Sequence, residues 1–510
     1  MSAKGSVPER TCPGERSPIS LAICRTRQRN QYPKCLLCPH RNADLAGANA
    51  TDPKVLPSVF RSTGVLGRVP QELNEYVLRK VGLAAAQFLR AESPKATKMV
   101  VGCDLRDNSR SLARVFCEGV NAAGTDVVNV GPWPPDVLVF ALGTDGYAGA
   151  AFIGGGNYPD TVNGVRLWRR NGRALGSGNG LEKISLIARR LRTGRSRLPG
   201  ETSTATPLAD YLAYVRSSAK GLTALKLVVD GGNGVAGRLL ERLLTGPPVQ
   251  LTPVHFEEDA HSAFLGRRFP SNSLVASMRA KVQDARADAG LAVDFSGERV
   301  AFFDEHGALL RHDVSGGIIA LEVLEREGES TVAYDLRSTA ALASLIKARG
   351  GEAAPGPAAP LAFDEHVRTS EAAYGFDLTG LHYFSDFFGA TSPFIAAMLF
   401  CSCVCRERKA VSELAAPLMR LSRSEELVVP APSADAARDA LEALAGEFSD
   451  ADHDRLDGLT VRLRDYWFNL RQPGEAAELR LIVEGRSSRD ERRGRQTIER
   501  SLQRALQAGS

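Results

Sequence analysis

The chain has 510 residues, of which 43% are hydrophobic and 24% charged, and its net charge is only +5. This composition is typical of a soluble globular protein with room for three or four domains, and so mild a charge gives no reason to expect a nucleic-acid partner. The most apolar run, Pro393–Cys405, is too short to span a bilayer, and the first residues lack the apolar segment of a secretory signal. We therefore expect a cytoplasmic protein without membrane contact.

Residues 1–55 differ from the rest of the chain because they are basic and rich in cysteine. Four of the nine cysteines lie here, namely Cys12, Cys24, Cys35 and Cys38. A C-x-x-C pair can hold one tetrahedral ion, and two further thiolates would complete the site. The pattern indicates a metal site, with zinc favoured over an iron–sulfur cluster. The alternatives are a tail with inert cysteines and, from its arginines, a segment that touches nucleic acid.

From residue 56 onward the pattern alternates between helix and strand, which is typical of an α/β protein with a mostly parallel sheet. The first elements are expected at Pro70–Glu92 (helix), Met99–Asp104 (strand), Leu112–Ala123 (helix) and Asp126–Val130 (strand). Residues 193–206 have the composition of a linker. We expect domains at 56–200, 207–310, 311–423 and 427–510, after the extension at 1–55.

The segment Ala151–Trp168 has the pattern of an active-site loop. An apolar strand runs into three glycines, Gly154 to Gly156, and a second strand begins near Val165. Glycines at a strand end let the backbone adopt positive φ or approach a ligand closely. The Asn163-Gly164 pair between them predicts a tight turn.

This loop resembles that of the α-D-phosphohexomutases, the phosphoglucomutase and phosphomannomutase family. There the sequence is Thr-Ala-Ser-His-Asn-Pro followed by Asn-Gly-x-Lys, and the serine carries the exchanged phosphate. Aligned on Pro159, Gly156 takes the phosphoserine position, Asn157 the histidine and Arg166 the lysine. The resemblance implies that the frame of the loop is present and its nucleophile is absent.

Further motifs extend the resemblance from Phe60 to Glu484. Phe60–Gly67 is similar to the family's opening Phe-Arg-x-x-Asp-Ile-Arg-Gly, Gly102–Ser109 to Gly-Arg-Asp-x-Arg-x-x-Ser, and Asp230–Gly234 to Asp-x-Gly-Asn-Gly. The resemblance implies a four-domain architecture of three related α/β mixed-sheet domains and a C-terminal α+β domain. The Cys-rich extension precedes them.

The family's metal loop, Asp-Gly-Asp-x-Asp-Arg, is only partly matched. Its three aspartates bind Mg²⁺, and Asp294, Ser296 and Glu298 stand at their positions. A hard cation prefers several short carboxylates, and here one becomes a hydroxyl and one a longer acid. The resemblance therefore implies weak Mg²⁺ binding or none.

Other positions imply a binding site for a phosphosugar. Arg337 takes the place of a basic residue that faces the sugar phosphate, and Asp377 and Thr379 take those of the acid and serine that grip the sugar hydroxyls. The C-terminal loop keeps Arg471, Gly474 and Arg480 of the phosphate anchor. The hydroxyl donors there become Pro473 and Glu475, and Ala353–Leu361, expected as a loop, lacks the family's lysine and histidine.

The sequence leaves three alternative functions open. The first is a catalytically inactive phosphohexomutase homologue that binds a phosphosugar or acts as a regulator or scaffold. The second is an active but atypical phosphohexomutase with another acceptor, for which Thr161 and Ser296 are the nearby hydroxyls. The third places the function in a metal-binding N-terminal module. No protein partner is indicated by the sequence.

Overall fold

Helices and strands alternate along most of the chain, as the sequence predicts for an α/β protein. The computed structural model describes residues 9–12, 18–20, 23–24, 27–28, 35, 38, 55–143, 146–190, 198–205, 207–219, 221–246 and 248–508. The chain divides into two units, Met1–Lys54 and Val55–Ser510. Among the described residues, no helix is long and apolar enough to cross a membrane.

The first unit contains a short hairpin in which β1 (Glu9–Thr11) pairs antiparallel with β2 (Pro18–Ser20). Its buried residues, within the positions described, are Cys12, Cys24 and Cys35, and Cys38 is half-buried.

The second unit begins with a seven-stranded sheet in the order β3-β4-β8-β7-β5-β6-β9. Its strands are β3 (Phe60–Arg61), β4 (Gly64–Arg68), β5 (Lys98–Cys103), β6 (Asp126–Gly131), β7 (Tyr147–Ile153), β8 (Val162–Arg169) and β9 (Thr202–Thr204). Strand β9 lies in the segment expected to be a linker and extends the first sheet past residue 200 by pairing with β6.

Four helices accompany this sheet: α1 (Glu75–Glu92), α2 (Ser109–Ala122), α3 (Pro135–Ala141) and α4 (Leu181–Arg190). Helix α1 begins later than predicted, because the Asn74 side chain accepts a hydrogen bond from the Val77 N–H and caps the helix there. Helices α1 and α2 pack closely through two glycines. A Cβ on Gly82 would lie 2.3 Å from the Phe116 carbonyl oxygen, and one on Gly119 would lie 2.0 Å from that of Arg79.

The second sheet has the order β11-β10-β12-β13, and two of its strands are followed or ended by an aspartate at the same end of the sheet. Its elements are α5 (Leu208–Ser217), β10 (Leu225–Asp230), α6 (Gly237–Leu244), β11 (Val249–Val254), α7 (Asn272–Ala285), β12 (Ala289–Val293) and β13 (Val300–Phe303). Strands β10 and β12 are parallel, so Asp230 and the residue after β12, Asp294, lie at one end of the sheet.

The third sheet has the order β15-β14-β16-β17-β18. Its elements are α8 (His312–Glu327), β14 (Thr331–Asp335), α9 (Ala340–Ala348), β15 (Glu352–Gly356), α10 (Pro360–Thr369), β16 (Tyr374–Phe376), β17 (His382–Phe384), β18 (Ala390–Thr391), α11 (Pro393–Glu407) and α12 (Val411–Ala415). The prediction of a loop over Ala353–Leu361 was wrong, since β15 and the start of α10 occupy it. Pro355 is tolerated because β15 is an edge strand.

The last sheet has the order β19-β24-β23-β22-β21, and β20 also pairs with β24. Its elements are β19 (Ser422–Arg423), β20 (Leu427–Pro430), α13 (Ala434–Glu447), β21 (Asp452–Asp454), β22 (Leu459–Arg462), β23 (Tyr466–Arg471), β24 (Glu478–Gly485) and α14 (Ser488–Ala508). This domain has a hydrophobic core of its own, to which α14 contributes Ile498 and Leu502. The first three sheets share a large part of their core, in which α8 and α11 pack together.

A buried acid joins three segments of this shared core. Asp136 in α3 accepts a hydrogen bond from the Tyr211 hydroxyl of α5 at 3.1 Å, and a second bond links it to Ser392. Burial raises the pKa of Asp136 from 3.8 to about 7, against the opposing effect of these hydrogen bonds. Between these two values the folded chain keeps a proton that the unfolded chain releases, so stability falls as pH rises through this window.

Asp136→Asn is therefore expected to flatten the loss of stability between pH 5 and pH 8. Relative to the wild type, the variant should be more stable at pH 8 than at pH 5. This difference is at most about 1.4 kcal/mol for each tenfold difference in proton affinity between the folded and the unfolded chain. Thermal unfolding midpoints across this range measure it, with the exposed acid change Asp439→Asn as the control. A pH profile of Asp136→Asn parallel to that of the control would contradict the assignment.

Candidate functional site

Two buried charged residues, Asp104 and Arg106, hold the glycine loop that follows β7 in place. Arg106 donates through Nη2 to the carbonyl oxygens of Gly156 at 2.8 Å and Tyr158 at 2.6 Å. Asp104 pairs with Arg106 and accepts the Gly155 N–H at 3.1 Å. The conformation of the loop is thus fixed by the Asp104–Arg106 pair and does not depend on the side chains of the loop itself.

The predicted turn at Asn163-Gly164 was wrong. Both residues lie inside β8, and the chain reverses earlier, where the Val162 N–H donates to the Pro159 carbonyl at 2.9 Å. Asn163 is buried, and its side-chain amide donates to the Ser109 hydroxyl at 2.8 Å. Gly164 is required by close packing, since a Cβ would lie 2.2 Å from the Val65 carbonyl oxygen. The pair serves strand packing and a buried hydrogen bond instead of a turn.

At Gly156, the position of the expected phosphoserine, there is room for a side chain, but the backbone conformation disfavours one. Gly156 has a φ of +56° and a Cβ there would meet nothing within 4 Å, so the space for a side chain exists. Residues with a Cβ rarely adopt this backbone conformation. At the two glycines before it the space is closed, because a Cβ would lie 2.8 Å from Asp104 Oδ2 at Gly154 and 2.5 Å from the Val162 carbonyl at Gly155.

Beyond Gly156, the loop contacts a neighbouring domain, and the two hydroxyls considered as alternative acceptors differ in their access to solvent. The carbonyl of Asn157 accepts the Gly266 N–H at 3.0 Å, which joins this loop to a segment of the second sheet's domain. Thr161 lies on the exposed part of the loop. Ser296 is buried, and its hydroxyl donates to Asp294 at 3.2 Å.

The segment aligned with the metal loop is folded around its own hydrogen bonds. Asp294 is buried and accepts the Glu298 N–H at 2.8 Å, the Arg299 N–H at 3.3 Å and the Ser296 hydroxyl. Burial raises the pKa of Asp294, although Arg299 and these bonds oppose the effect. Asp294, the aspartate that matches the family's metal loop, therefore accepts the hydrogen bonds that stabilise its own turn.

The third candidate ligand is paired with a cation from the glycine-loop hairpin. Arg166 of β8 forms an ion pair with Glu298, and the guanidinium also lies 5.2 Å from the centre of the Trp168 ring. Burial and the charge of Arg299 lower the pKa of Arg166 to about 10, so the guanidinium is still protonated at neutral pH. The structure thus brings together the positions aligned with the phosphohexomutase lysine and with the last metal ligand.

These residues do not fit Mg²⁺. One carboxylate is occupied by backbone N–H groups and a hydroxyl, and the other is neutralised by a guanidinium. An octahedral cation would have to displace Arg166 and face the remaining charge of Arg299.

The residues aligned with the sugar loop lie at the turn after β16. Asp377 is 1% exposed, and it accepts the Thr379 N–H and hydroxyl at 2.8 Å each and the Leu381 N–H at 3.1 Å. Its oxygens are therefore engaged within its own turn. Thr379 is partly exposed and is the one of the two that a ligand can reach.

The three arginines aligned with phosphate contacts converge on a single carboxylate, that of Glu426. Arg337 Nη1 lies 2.6 Å from Oε1, Arg480 Nη1 3.1 Å from Oε2, and Arg471 Nη2 3.6 Å from Oε1. Gly474, also predicted for this loop, is exposed and has a φ of +58° with open space around it. Sequence reasoning missed Glu426, because it lies between two short strands outside every motif and gives no signal of its own.

The N-terminal cysteines belong to the first unit. Arg27 donates to the Cys12 sulfur at 3.7 Å, and Gln28 donates to the Cys24 sulfur at 3.2 Å. Within the positions that the structure describes, no three His, Cys, Asp or Glu side chains form a metal-binding group. The zinc site stays a prediction from sequence.

Two family models match the chain. The one described as phosphoglucomutase/phosphomannomutase, alpha/beta/alpha domain I, matches residues 57–192, and that of domain II matches residues 209–307. A phosphomannomutase of Salmonella montevideo is 29% identical over 448 residues, which cover 84% of this chain and 94% of that protein. The chain belongs to the α-D-phosphohexomutase superfamily.

Other members of the superfamily agree in sequence and in fold. A Xanthomonas campestris protein named phosphohexose mutases is 29% identical over 439 residues, covering 84% of this chain and 95% of that protein. The crystal structure of a family protein from Burkholderia thailandensis has a TM-score of 0.79 at 24% identity and covers 89% of this chain and 98% of its own. A putative phosphomannomutase of Thermus thermophilus gives 0.70 at 18% identity, with 86% and 98% covered. The predicted superfamily and α/β fold are confirmed.

The ion pair of Arg166 and Glu298 makes a prediction about Mg²⁺. In the wild type, Mg²⁺ should leave the thermal unfolding midpoint where EDTA leaves it, because the guanidinium already neutralises Glu298. Arg166→Ala should destabilise the chain by about 1–2 kcal/mol, since Glu298 is only 12% exposed, and Mg²⁺ should recover part of that loss. Arg166→Lys is the matched control, which keeps a cation and should not respond. A Mg²⁺-dependent rise in the wild type would contradict this interpretation.

Proposed function

We propose that this superfamily member is catalytically silent and binds a phosphosugar. One observation carries the proposal: the positions needed for chemistry are filled by Gly156 and by the Arg166–Glu298 pair, whereas the arginines at the phosphate end are kept and converge. Phosphoryl exchange requires an acceptor oxygen in line, a neutralising metal and a proton carrier. Gly156 has no acceptor, and Arg166 is too basic to remove a proton.

The binding half of the site is supported by charge and geometry. Arginine is suited to phosphate because its planar fork can donate two hydrogen bonds to one group. Arg337 follows strand β14, whereas Arg471 and Arg480 lie opposite each other on the paired strands β23 and β24. All three reach one carboxylate, so they can surround a dianion at that point. Thr379 can add a hydroxyl toward the sugar. In this role the chain senses or stores a phosphosugar, or presents it to a partner.

An active enzyme with another acceptor is less well supported. Thr161 lies on the exposed loop, and the Ser296 hydroxyl is buried against Asp294. Ser296 is therefore closed to a substrate, and Thr161 lies five residues along the loop from the expected phosphoserine position, Gly156.

The proposal is tested by a paired measurement on the full chain. Turnover is assayed on glucose 1-phosphate and mannose 1-phosphate with Mg²⁺ and glucose 1,6-bisphosphate, and thermal shift is recorded with the same sugars. We expect no turnover and a ligand-dependent rise, which corresponds to about 2.7 kcal/mol at a hundredfold excess over Kd. Arg480→Ala should lose the rise, and the exposed change Arg489→Ala should keep it. Turnover above the blank would overturn the proposal and direct attention to Thr161→Ala and Ser296→Ala.

For the first unit we propose a zinc site formed by Cys12, Cys24, Cys35 and Cys38. Its support is that the buried residues described there are cysteines, and that burial and the neighbouring thiols of Cys12, Cys24 and Cys38 raise the pKa of Cys35. Such a cluster is stabilised when a cation replaces the thiol protons. Metal analysis of purified full-length protein should give about one zinc per chain, lost in Cys35→Ser/Cys38→Ser and kept in Cys401→Ser. A metal-free wild type purified without chelator would refute the site.

A further inference from the structure

The arginine cluster already contains an anion that belongs to the protein. Glu426 lies between β19 and β20 and is reached by guanidinium groups on three different segments. None of the three contacts is a two-point fork, since each arginine approaches the carboxylate through a single nitrogen. The carboxylate thus occupies the centre of the cluster without using the full donor capacity of the arginines around it.

Glu426 contacts all three guanidinium groups, whereas two other carboxylates each contact one of them. Asp335 pairs with Arg337 at 2.6 Å, and Glu478 pairs with Arg480 at 3.0 Å. Two charges further out also act on the cluster, namely Asp457 on Arg471 and Arg423 on Asp335. A phosphate dianion that entered with Glu426 in place would meet a like charge at close range. Once Glu426 leaves, one negative charge is removed and the guanidinium N–H groups that it occupied become free, so a phosphate can accept from them with three oxygens.

Arg471 carries a hydrogen-bond donor that Glu426 does not satisfy. Its buried Nε has no hydrogen-bond partner among the described residues, and burial together with the charge of Arg337 lowers its pKa. A buried guanidinium donor without an acceptor is costly, and a ligand with more oxygens than a carboxylate removes that cost.

The position of Glu426 also allows it to move. Its side chain is 27% exposed, and the residue before it, Glu425, is also exposed. Its domain has its own hydrophobic core, and it meets the third domain through polar contacts, such as the Ala340 N–H to Glu484 Oε2 at 2.9 Å. Because Arg337 belongs to the third domain, the Arg337–Glu426 pair is one of these contacts, and breaking it exposes no core.

We propose that Glu426 is a built-in occupant of the arginine cluster that sets its affinity for phosphate-bearing ligands, which bind only after its carboxylate leaves. The ligand class is a phosphate monoester dianion, and the inference rests on the proposed function for the sugar attached to it. Entry of the ligand exchanges the Arg337–Glu426 link between two domains for a link through the ligand. The residue therefore sets the affinity and contributes one of the contacts between the third and fourth domains.

The test measures binding of inorganic phosphate and, separately, glucose 1-phosphate to full-length chains by calorimetry. Glu426→Gln keeps the size of the side chain and removes its charge, and should bind phosphate at least about tenfold more tightly than the wild type. Glu425→Gln is the matched control, one residue away, exposed and with the same change in net charge, and should bind like the wild type. Glu426→Asp, which retracts the charge, should shift affinity in the same direction to a smaller extent.

The outcomes separate this inference from the proposed function. If Glu426→Gln binds phosphate no more tightly than the wild type, or if Glu425→Gln gains as much, the inference is wrong. Tighter phosphate binding by Glu426→Gln with no binding of glucose 1-phosphate by any variant supports the inference and overturns the phosphosugar assignment. Binding of glucose 1-phosphate by the wild type without a gain in Glu426→Gln overturns the inference alone.

Discussion

The requirement that poorly solvated guanidinium groups have counter-ions governs the arginine cluster. Arg337 and Arg471 are 7% and 12% exposed, and together with Arg480 they share Glu426. An unpaired charge in such surroundings costs several kcal/mol. Arg166 of the glycine-loop hairpin likewise pairs with Glu298, so carboxylates of the protein itself are the counter-ions at both groups of positions.

The frame of the nucleophile loop persists because it does not depend on the nucleophile. The loop is shaped by the Asp104–Arg106 pair, by the buried amide of Asn163 and by glycines whose Cβ positions are blocked. None of these contacts involves a side chain at position 156, so the backbone geometry of the loop does not require a hydroxyl there. The fold of the loop and the chemistry of its nucleophile position therefore rest on different side chains.

The sequence was sufficient for the fold because periodicity and glycine motifs report directly on strands, helices and close packing. It failed where tertiary contacts override local preference. Asn163-Gly164 has turn chemistry, yet a buried hydrogen bond and contact with Val65 place it in a strand, and Pro355 lies in a strand because that strand is at an edge. Glu426 could not be predicted, since nothing local marks a carboxylate that is defined by three distant arginines.

At both ion-pair sites, a charged side chain of the protein takes the place of a mobile ion or of a substrate charge. In a metal-dependent phosphotransferase, mobile ions and the substrate supply the charges that neutralise the protein. Here tethered side chains supply them: a guanidinium lies beside the acid of the metal loop, and a carboxylate lies among the phosphate arginines. A tethered charge acts at high effective concentration, so a ligand must compete with it at every encounter. At the metal end the competitor is Arg166, which lies within strand β8, whereas at the phosphate end it is Glu426, which lies on the link between two short strands. The phosphate end is therefore the one at which an external ligand can still take the place of the protein's own charge.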